Sequence, residues 1–335
     1  MAALSPETVS SPSLHLPCAP VPPPCPPPIK ADDPGSVVTT SHLYLREALN
    51  LNEEIEYLLQ PFLADGYNVS GENAVVTFVQ DINPVIQDGP MCGLVALSMA
   101  SQLLWMNCAA LALPTKCHPE TLLGFAKEKG FCKQGEMLSV DYMLQTAEQQ
   151  IDCCGKSTYF DSLHIDVLMR SILGGREAIL VPYDADKDHS PCLERGHRAH
   201  WCIIVGFAVA LNRETCIQEG LQLIEYCTPN PRLSGHYKLK KELGLDFAKW
   251  FSLSEENCKV STEPVGELYL FTRQGKSRHI GLWSYRELLQ SNRNLVEVGL
   301  SMTCSGDYVI PDGGIKEGLC SKVLVLSRKS MQLPL

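Results

Sequence analysis

Hydrophobic periodicity divides the chain into a helical first part and a strand-rich second part. Apolar residues recur at near-helical spacing in residues 43–63, and residues 92–104 form an almost wholly apolar helix. Because helices come first and strands dominate later, the pattern predicts an α+β fold. Further helices are predicted at residues 119–129, 139–150, 165–173 and 284–291. Strands rich in β-branched and aromatic residues are predicted at residues 74–79, 178–183, 200–211, 268–272 and 319–327.

The first 35 residues differ from the rest of the chain, since they hold eleven of the 23 prolines. Proline fixes φ and lacks an N–H, so residues 19–30 favour an extended polyproline II helix and cannot build a core. This predicts a disordered Pro-rich leader at 1–35 and one domain at 36–335, with its core at about 75–330. The leader is either a spacer or a ligand for an aromatic-lined groove of the SH3, WW, EVH1 or profilin kind.

Composition narrows the class of protein. The chain has 335 residues, 45% of them hydrophobic, and a net charge of −10. It can therefore bury a sizeable core, and its acidic balance excludes general nucleic-acid binding. The N-terminus has no basic and apolar signal region, and the longest apolar run is too short to span a membrane. We therefore expect a cytoplasmic protein whose 15 cysteines are mostly free, buried thiols, with Cys153 and Cys154 at the end of a helix.

One cysteine has a chemically distinctive setting. Cys92 follows a Gly-Pro turn and opens the apolar helix, where unpaired backbone N–H groups and the helix dipole favour a thiolate. Gly93 allows close backbone approach beside the sulfur. Gln87 lies five residues earlier, so its amide and the Cys92 N–H together would form a two-donor oxyanion hole. The alternative is a buried helical cysteine without a task.

A nucleophilic cysteine needs a base, and His200 is the best placed of nine histidines. It stands at the entrance of the apolar strand 200–211, where the sheet fixes its backbone. The order, nucleophile helix first and histidine strand later, suits Cys–His enzymes of the papain type. Cys192, His197 and His200 lack a fourth zinc ligand at suitable spacing, so we expect no metal and no cofactor.

Four sequence blocks in order resemble the actin maturation protease family, a group of C39-like, papain-fold cysteine peptidases. The resemblance implies an α+β papain-like fold, with a helical part followed by an antiparallel sheet. It also implies that Cys92 is the nucleophile, His200 the general base and Gln87 the oxyanion donor. The residue that orients the histidine stays open between Gln274 and Asn230. The blocks are residues 87–100, 134–140, 180–184 with 196–201, and 274–277 with 282–285.

The resemblance implies a function that composition does not show. Family members remove the N-acetylated Met or Cys that precedes the mature acidic N-terminus of nascent actin. Actin is thus the expected substrate, and the leader suggests profilin as a further partner. Since this chain is itself acidic, the acidic substrate needs a local basic patch, for which Arg273, Lys276 and Arg278 are candidates. The alternatives are a non-catalytic polyproline-tethered adaptor of actin or profilin, and a papain-fold acyltransferase.

Overall fold

The computed structural model describes residues 49–64, 73–105, 115–251, 268–299 and 306–329. Ten α-helices and nine β-strands alternate along this part of the chain. The helices are α1 (Leu51–Ala64), α2 (Cys92–Trp105), α3 (Pro119–Glu128), α4 (Val140–Gln150), α5 (Ile165–Gly174), α6 (Arg213–Gln218), α7 (Leu223–Tyr226), α8 (Gly244–Ala248), α9 (Tyr285–Arg293) and α10 (Gly314–Gly318). The strands are β1 (Asn73–Val79), β2 (Cys153–Tyr159), β3 (Glu177–Asp184), β4 (Ala199–Asn212), β5 (Cys227–Pro229), β6 (His236–Leu239), β7 (Leu268–Gln274), β8 (Gly281–Ser284) and β9 (Lys322–Arg328).

All nine strands belong to one sheet built around β4. The strand order is β2-β9-β3-β4-β1-β6-β5, and β7 pairs with β4 and carries β8. The fourteen-residue β4 is long enough to pair with β3 at one end, β1 at the other and β7 along its length. Every pairing is antiparallel except that of β1 with β6. Strand β4 therefore carries its residues into the middle of the molecule.

Each face of the sheet is covered by its own hydrophobic cluster. Helices α1 to α4 and α10 pack on one face, and α5, α6, α8 and α9 pack on the other. Helix α2 lies within the first cluster, with twelve buried residues, because its sequence is apolar on nearly every side. Local signals fix the helix ends: the Ser139 hydroxyl accepts from two backbone N–H groups at the start of α4, and Gly175 ends α5 in the left-handed conformation.

Most predicted elements are confirmed to within one or two residues, and the exceptions have physical reasons. Strand β9 begins at Lys322, three residues later than predicted. The helix predicted at residues 43–63 begins at Leu51 in the structure, and residues 43–48 lie outside the described residues. The placement of Cys153 and Cys154 at a helix end is wrong, since they open β2, a largely polar strand without hydrophobic alternation. Strands β5, β6 and β8 were missed because they are three or four residues long.

The predicted arrangement of the fold is only partly correct. Helices and strands interleave from β1 onward, so the helices do not precede the sheet, and the sheet is mixed because of the parallel β1–β6 pair. The Pro-rich leader lies outside the described residues. Among the described residues no helix is long and apolar enough to cross a membrane. The ten cysteines in this part of the chain are all free, and most are buried, as expected.

Candidate active site

Cys92 lies at the first position of α2, directly after the turn at Gly89 and Pro90. The next residue must be glycine for this helix start to pack closely. A Cβ at Gly93 would lie 2.8 Å from Met137 Cβ and 3.2 Å from Trp201 Cδ1. The Trp201 indole N–H donates to the Met137 carbonyl at 2.8 Å, which ties β4 to the loop before α4 behind the cysteine. Glycine at position 93 therefore lets the start of α2 approach both of these segments, the loop before α4 and strand β4.

The Cys92 thiol is buried, and burial dominates its acidity. Desolvation raises its pKa to about 11, although hydrogen bonds from the backbone of Trp201, Gly93 and Cys92, and the charge of Lys276, act in the opposite direction. The N–H groups favour the thiolate as predicted, but the cost of burying the charge is larger. At neutral pH the group is a thiol.

His200 lies near the start of β4, immediately before Trp201, and its imidazole is held by Gln274. His200 Nε2 and Gln274 Oε1 are 3.2 Å apart, and the Lys276 backbone N–H donates to the same oxygen. Because that oxygen only accepts, Nε2 carries the hydrogen and Nδ1 keeps its lone pair. Burial lowers the His200 pKa to about 4 despite the bond to Gln274, so the ring is neutral at pH 7.

Gln87 lies beside the β7–β8 turn. Its backbone N–H donates to the Gly275 carbonyl at 2.8 Å, and its side-chain amide N–H donates to the Gly89 carbonyl at 2.7 Å. A Cβ at Gly275 would lie 2.7 Å from Gln87 Oε1, so glycine is required where the turn meets this side chain. The amide nitrogen has a second hydrogen. In this conformation the side chain braces the segment before Cys92.

The three cationic candidates differ in exposure. Arg273 is buried in β7 and donates to the Arg278 carbonyl at 2.8 Å, so it supports the turn rather than presenting its charge to solvent. Lys276 and Arg278 are exposed on the same turn. Lys276 acts electrostatically on both Cys92 and His200. Only Lys276 of the three is thus linked by its charge to both residues.

The loop that precedes α4 is fixed by a buried carboxylate. Glu136 accepts backbone hydrogen bonds from Lys133, Gln134 and Val309, each 2.8 Å long. This ties the loop to a segment near the C-terminal end of the chain. Since Met137 packs beside Gly93, the clamp positions the wall next to Cys92.

The sequence analysis assigned no role to His189, which lies against His200. The two rings are nearly parallel, 25° apart in plane, with centroids 5.6 Å apart. Tyr183 packs edge-on against His200 and donates its hydroxyl to the His189 carbonyl at 2.8 Å. The available signal was the loop between β3 and β4, whose His and Asp content is unusual and which leads directly to His200.

Asn230, the alternative partner for His200, lies elsewhere. Its amide nitrogen is 2.9 Å from His236 Nδ1 and donates to Glu56 at 2.9 Å. Its assignment as a possible orienter of His200 is therefore wrong, because the fold gives it to another histidine. Among the described residues no group of three or more His, Cys, Asp or Glu side chains is arranged to hold a metal ion.

Comparisons with known proteins place this chain within a family. The family model for the actin maturation protease-like C-terminal domain matches residues 82–208, which include Gln87, Cys92 and His200. A relative from Danio rerio named "Actin maturation protease" is 33% identical over 253 residues, 74% of this chain and 73% of its own. Those from Homo sapiens and Mus musculus, with the same name, are 33% and 32% identical. They cover 77% and 75% of this chain, which spans 67% and 63% of theirs.

This chain belongs to the actin maturation protease family. It is 33% identical to the relatives from Danio rerio and Homo sapiens, and the match spans at least two thirds of the length of each relative. No solved structure matches it.

Proposed function

We propose that this protein is a cysteine aminopeptidase that removes the N-acetylated Met or Cys from nascent actin. The observation that carries the proposal is the meeting of α2 and β4. The Trp201 backbone hydrogen-bonds the Cys92 sulfur, and the adjacent His200 is held in the tautomer that keeps Nδ1 basic. Family membership supplies the substrate, because the relatives carry that name.

The reaction begins with a neutral thiol and a neutral imidazole. His200 Nδ1 takes the Cys92 proton as the sulfur attacks the carbonyl carbon of the acetylated first residue. The electron pair of the C=O bond moves to oxygen, where the Cys92 N–H and the second amide hydrogen of Gln87 stabilise the negative charge. This role of Gln87 requires a rotation of its side chain away from Gly89.

Collapse of the tetrahedral intermediate breaks the C–N bond. The imidazolium of His200 gives its proton to the departing nitrogen, which becomes the new N-terminus of actin. The acetylated residue stays on Cys92 as a thioester. Water, deprotonated by His200, then attacks the thioester and releases the acetylated amino acid. The acetyl cap removes the need to recognise a free amine.

Gln274 is the residue we propose to orient His200. Its carbonyl oxygen accepts from Nε2–H, and its own direction is set by the Lys276 backbone N–H. A carboxylate in this position would stabilise the imidazolium with a full negative charge, whereas the amide offers only a dipole. The neutral partner therefore contributes orientation and tautomer selection, and it leaves His200 a weak base.

We further propose that the fold is a variant of the papain-like architecture. The supporting features are a buried helix that starts with the nucleophile and a later strand that carries the histidine. The catalytic domain would comprise residues 36–335 of a cytoplasmic protein. The Pro-rich leader at 1–35 would bind profilin and raise the local concentration of profilin-bound actin.

The test is cleavage of acetyl-Met- and acetyl-Cys-capped acidic peptides, read by mass spectrometry. We expect Cys92→Ala to lose activity by about 10⁴-fold or more, since nothing else supplies the nucleophile. Cys202→Ala is the matched control, a buried thiol on β4 whose hydrogen bond goes to the Val181 carbonyl. Absence of turnover by both the wild type and Cys92→Ala would favour the adaptor. Transfer of the acyl group to an added amine without hydrolysis would favour the acyltransferase.

A further inference from the structure

His189 has an unusual position for a surface-loop residue. It adopts a left-handed backbone conformation, φ 63°, which non-glycine residues seldom occupy. The Tyr183 hydroxyl holds its carbonyl oxygen, and its ring stacks on the ring of His200. A strained backbone persists where the surrounding structure imposes it, and it is common at functional sites. The fold therefore places an imidazole over the proposed general base.

A cationic residue of the β7–β8 turn also influences this part of the site. Lys276, on the β7–β8 turn, acts electrostatically on His189 as well as on Cys92 and His200. The Lys276 backbone is fixed by the Gln274 oxygen that also holds His200. Two groups able to carry positive charge thus act on His200, on a protein whose net charge is −10.

Resting on the function proposed above, we infer that His189 and Lys276 together bind the carboxylate of the acidic residue that follows the scissile bond. His189 is thus a specificity residue that selects acidic N-termini. A side-chain carboxylate on the leaving side of the bond accepts from Nζ of Lys276 and from an imidazole nitrogen of His189. The amine released in the reaction remains on the same segment, beside His200.

The charge of His189 depends on what surrounds it. In the free protein its pKa is lowered, first by desolvation and then by Lys276 and Arg198, and this outweighs Asp186 and Asp188. Tyr183 and His200 also contact it. An incoming carboxylate favours the imidazolium. His189 is therefore neutral while the site is empty and takes up a proton when an acidic substrate binds.

The experiment compares two peptides that differ only in charge. Acetyl-Met-Asp-Glu and acetyl-Met-Asn-Gln peptides of equal length are cleaved by the full-length protein and by two variants. His189→Asn removes the imidazole while asparagine tolerates positive φ. His197→Gln is the matched control, an exposed histidine of the same loop that faces Glu297 at 3.6 Å.

We expect the wild type to prefer the acidic peptide in kcat/KM by about 10- to 100-fold, as for a charge-assisted hydrogen bond. His189→Asn should reduce this preference about tenfold, mainly through a rise in KM for the acidic peptide that is larger than any change for the amide peptide. Lys276→Gln should act in the same direction, and His197→Gln should have no effect. The wild-type preference should grow as the pH falls from 8 to 6, because His189 then charges more readily.

Binding separates this inference from the proposed reaction. In a Cys92→Ala background, the Kd for the acidic peptide should rise about tenfold on His189→Asn. A preserved preference and an unchanged Kd in His189→Asn, or equal losses on both peptides, would overturn the inference while cleavage by the wild type upholds the proposed function. A tenfold rise in Kd without cleavage by the wild type would uphold the carboxylate site and refute the reaction.

Discussion

His200 and His236 are two buried histidines that resemble each other closely and differ in one decisive respect. Burial lowers the pKa of each to about 4, and each is bonded to an amide side chain, Gln274 for one and Asn230 for the other. His236 also lies beside a residue type able to act as a nucleophile, since the Thr77 hydroxyl is 2.8 Å from its Nε2. The second group has the composition of a catalytic triad.

The tautomer distinguishes the two. The Asn230 amide is oriented by Glu56, which accepts from its nitrogen, and by the Arg232 backbone N–H, which donates to its oxygen. The same nitrogen therefore donates to His236 Nδ1, so the hydrogen of His236 lies on Nε2 and points at Thr77. His236 donates to the hydroxyl and cannot take its proton. In His200 the amide oxygen takes the Nε2 hydrogen and leaves Nδ1 basic.

The comparison teaches that a buried histidine with an amide partner is not evidence of catalysis. A cavity of about 510 Å³, open to solvent, lies beside His236, so lack of access is not what keeps this histidine from acting on a substrate. What separates them is the direction of two hydrogen bonds. The amide group at His236 is fixed by a neighbouring carboxylate, and the one at His200 by a backbone N–H of its own turn.

Replacement of each histidine tests the comparison with the largest expected effect. We expect His200→Ala to lower kcat about 10³-fold, because the thiol loses its general base. His236→Gln should leave kcat within about twofold of the wild type. Both are measured on the acetyl-Met acidic peptide, after circular dichroism has verified folding. Comparable losses in kcat for two folded variants would contradict the distinction.

Stability should depend on pH in the same way at both sites. A folded pKa of about 4 lies below the unfolded value of about 6.5. The unfolded state therefore binds more protons between these values, so stability is full above pH 6.5 and is lost as the pH falls towards 4. Each histidine should contribute about 2–3 kcal/mol to the loss between pH 7 and 4.5.

Urea unfolding at several pH values isolates one of these contributions. The free energy of unfolding of His236→Gln should fall less steeply below pH 6.5 than that of the wild type. The difference between the two curves removes the effect of carboxylates, which both proteins share. Parallel curves would mean that the pKa of His236 is not lowered in the folded protein.

The amide partners give the smallest expected effects. Gln274→Ala should lower kcat about tenfold, the equivalent of one hydrogen bond of about 1.5 kcal/mol, because the ring loses its fixed tautomer. Asn230→Ala should leave kcat unchanged. Gln274→Glu should move the acidic limb of kcat/KM upward from about pH 4, since a negative charge raises the His200 pKa. An acidic limb at an unchanged pH would argue against Gln274 as the residue that bonds His200.

Local sequence features were sufficient to predict the elements that carry the proposed site. Helix α2 is apolar on every side and follows a Gly-Pro turn, and β4 is a long β-branched run, so both were predicted to within two residues. Short, polar strands such as β2 escaped detection because their pairing depends on partners far along the chain. The helix start singled out Cys92 and the strand entrance His200, and the family resemblance then implied their catalytic roles.

The sequence by itself determined the α2 and β4 elements, the order along the chain of the proposed nucleophile and base, and membership of the family. Only the tertiary structure decided the acidity of Cys92, the choice of Gln274 over Asn230, and the place of His189. Hydrophobic periodicity and helix starts are short-range properties that neighbouring residues fix. Desolvation, hydrogen-bond direction and ring stacking depend on groups that are distant in sequence, and these meet only after the chain has folded.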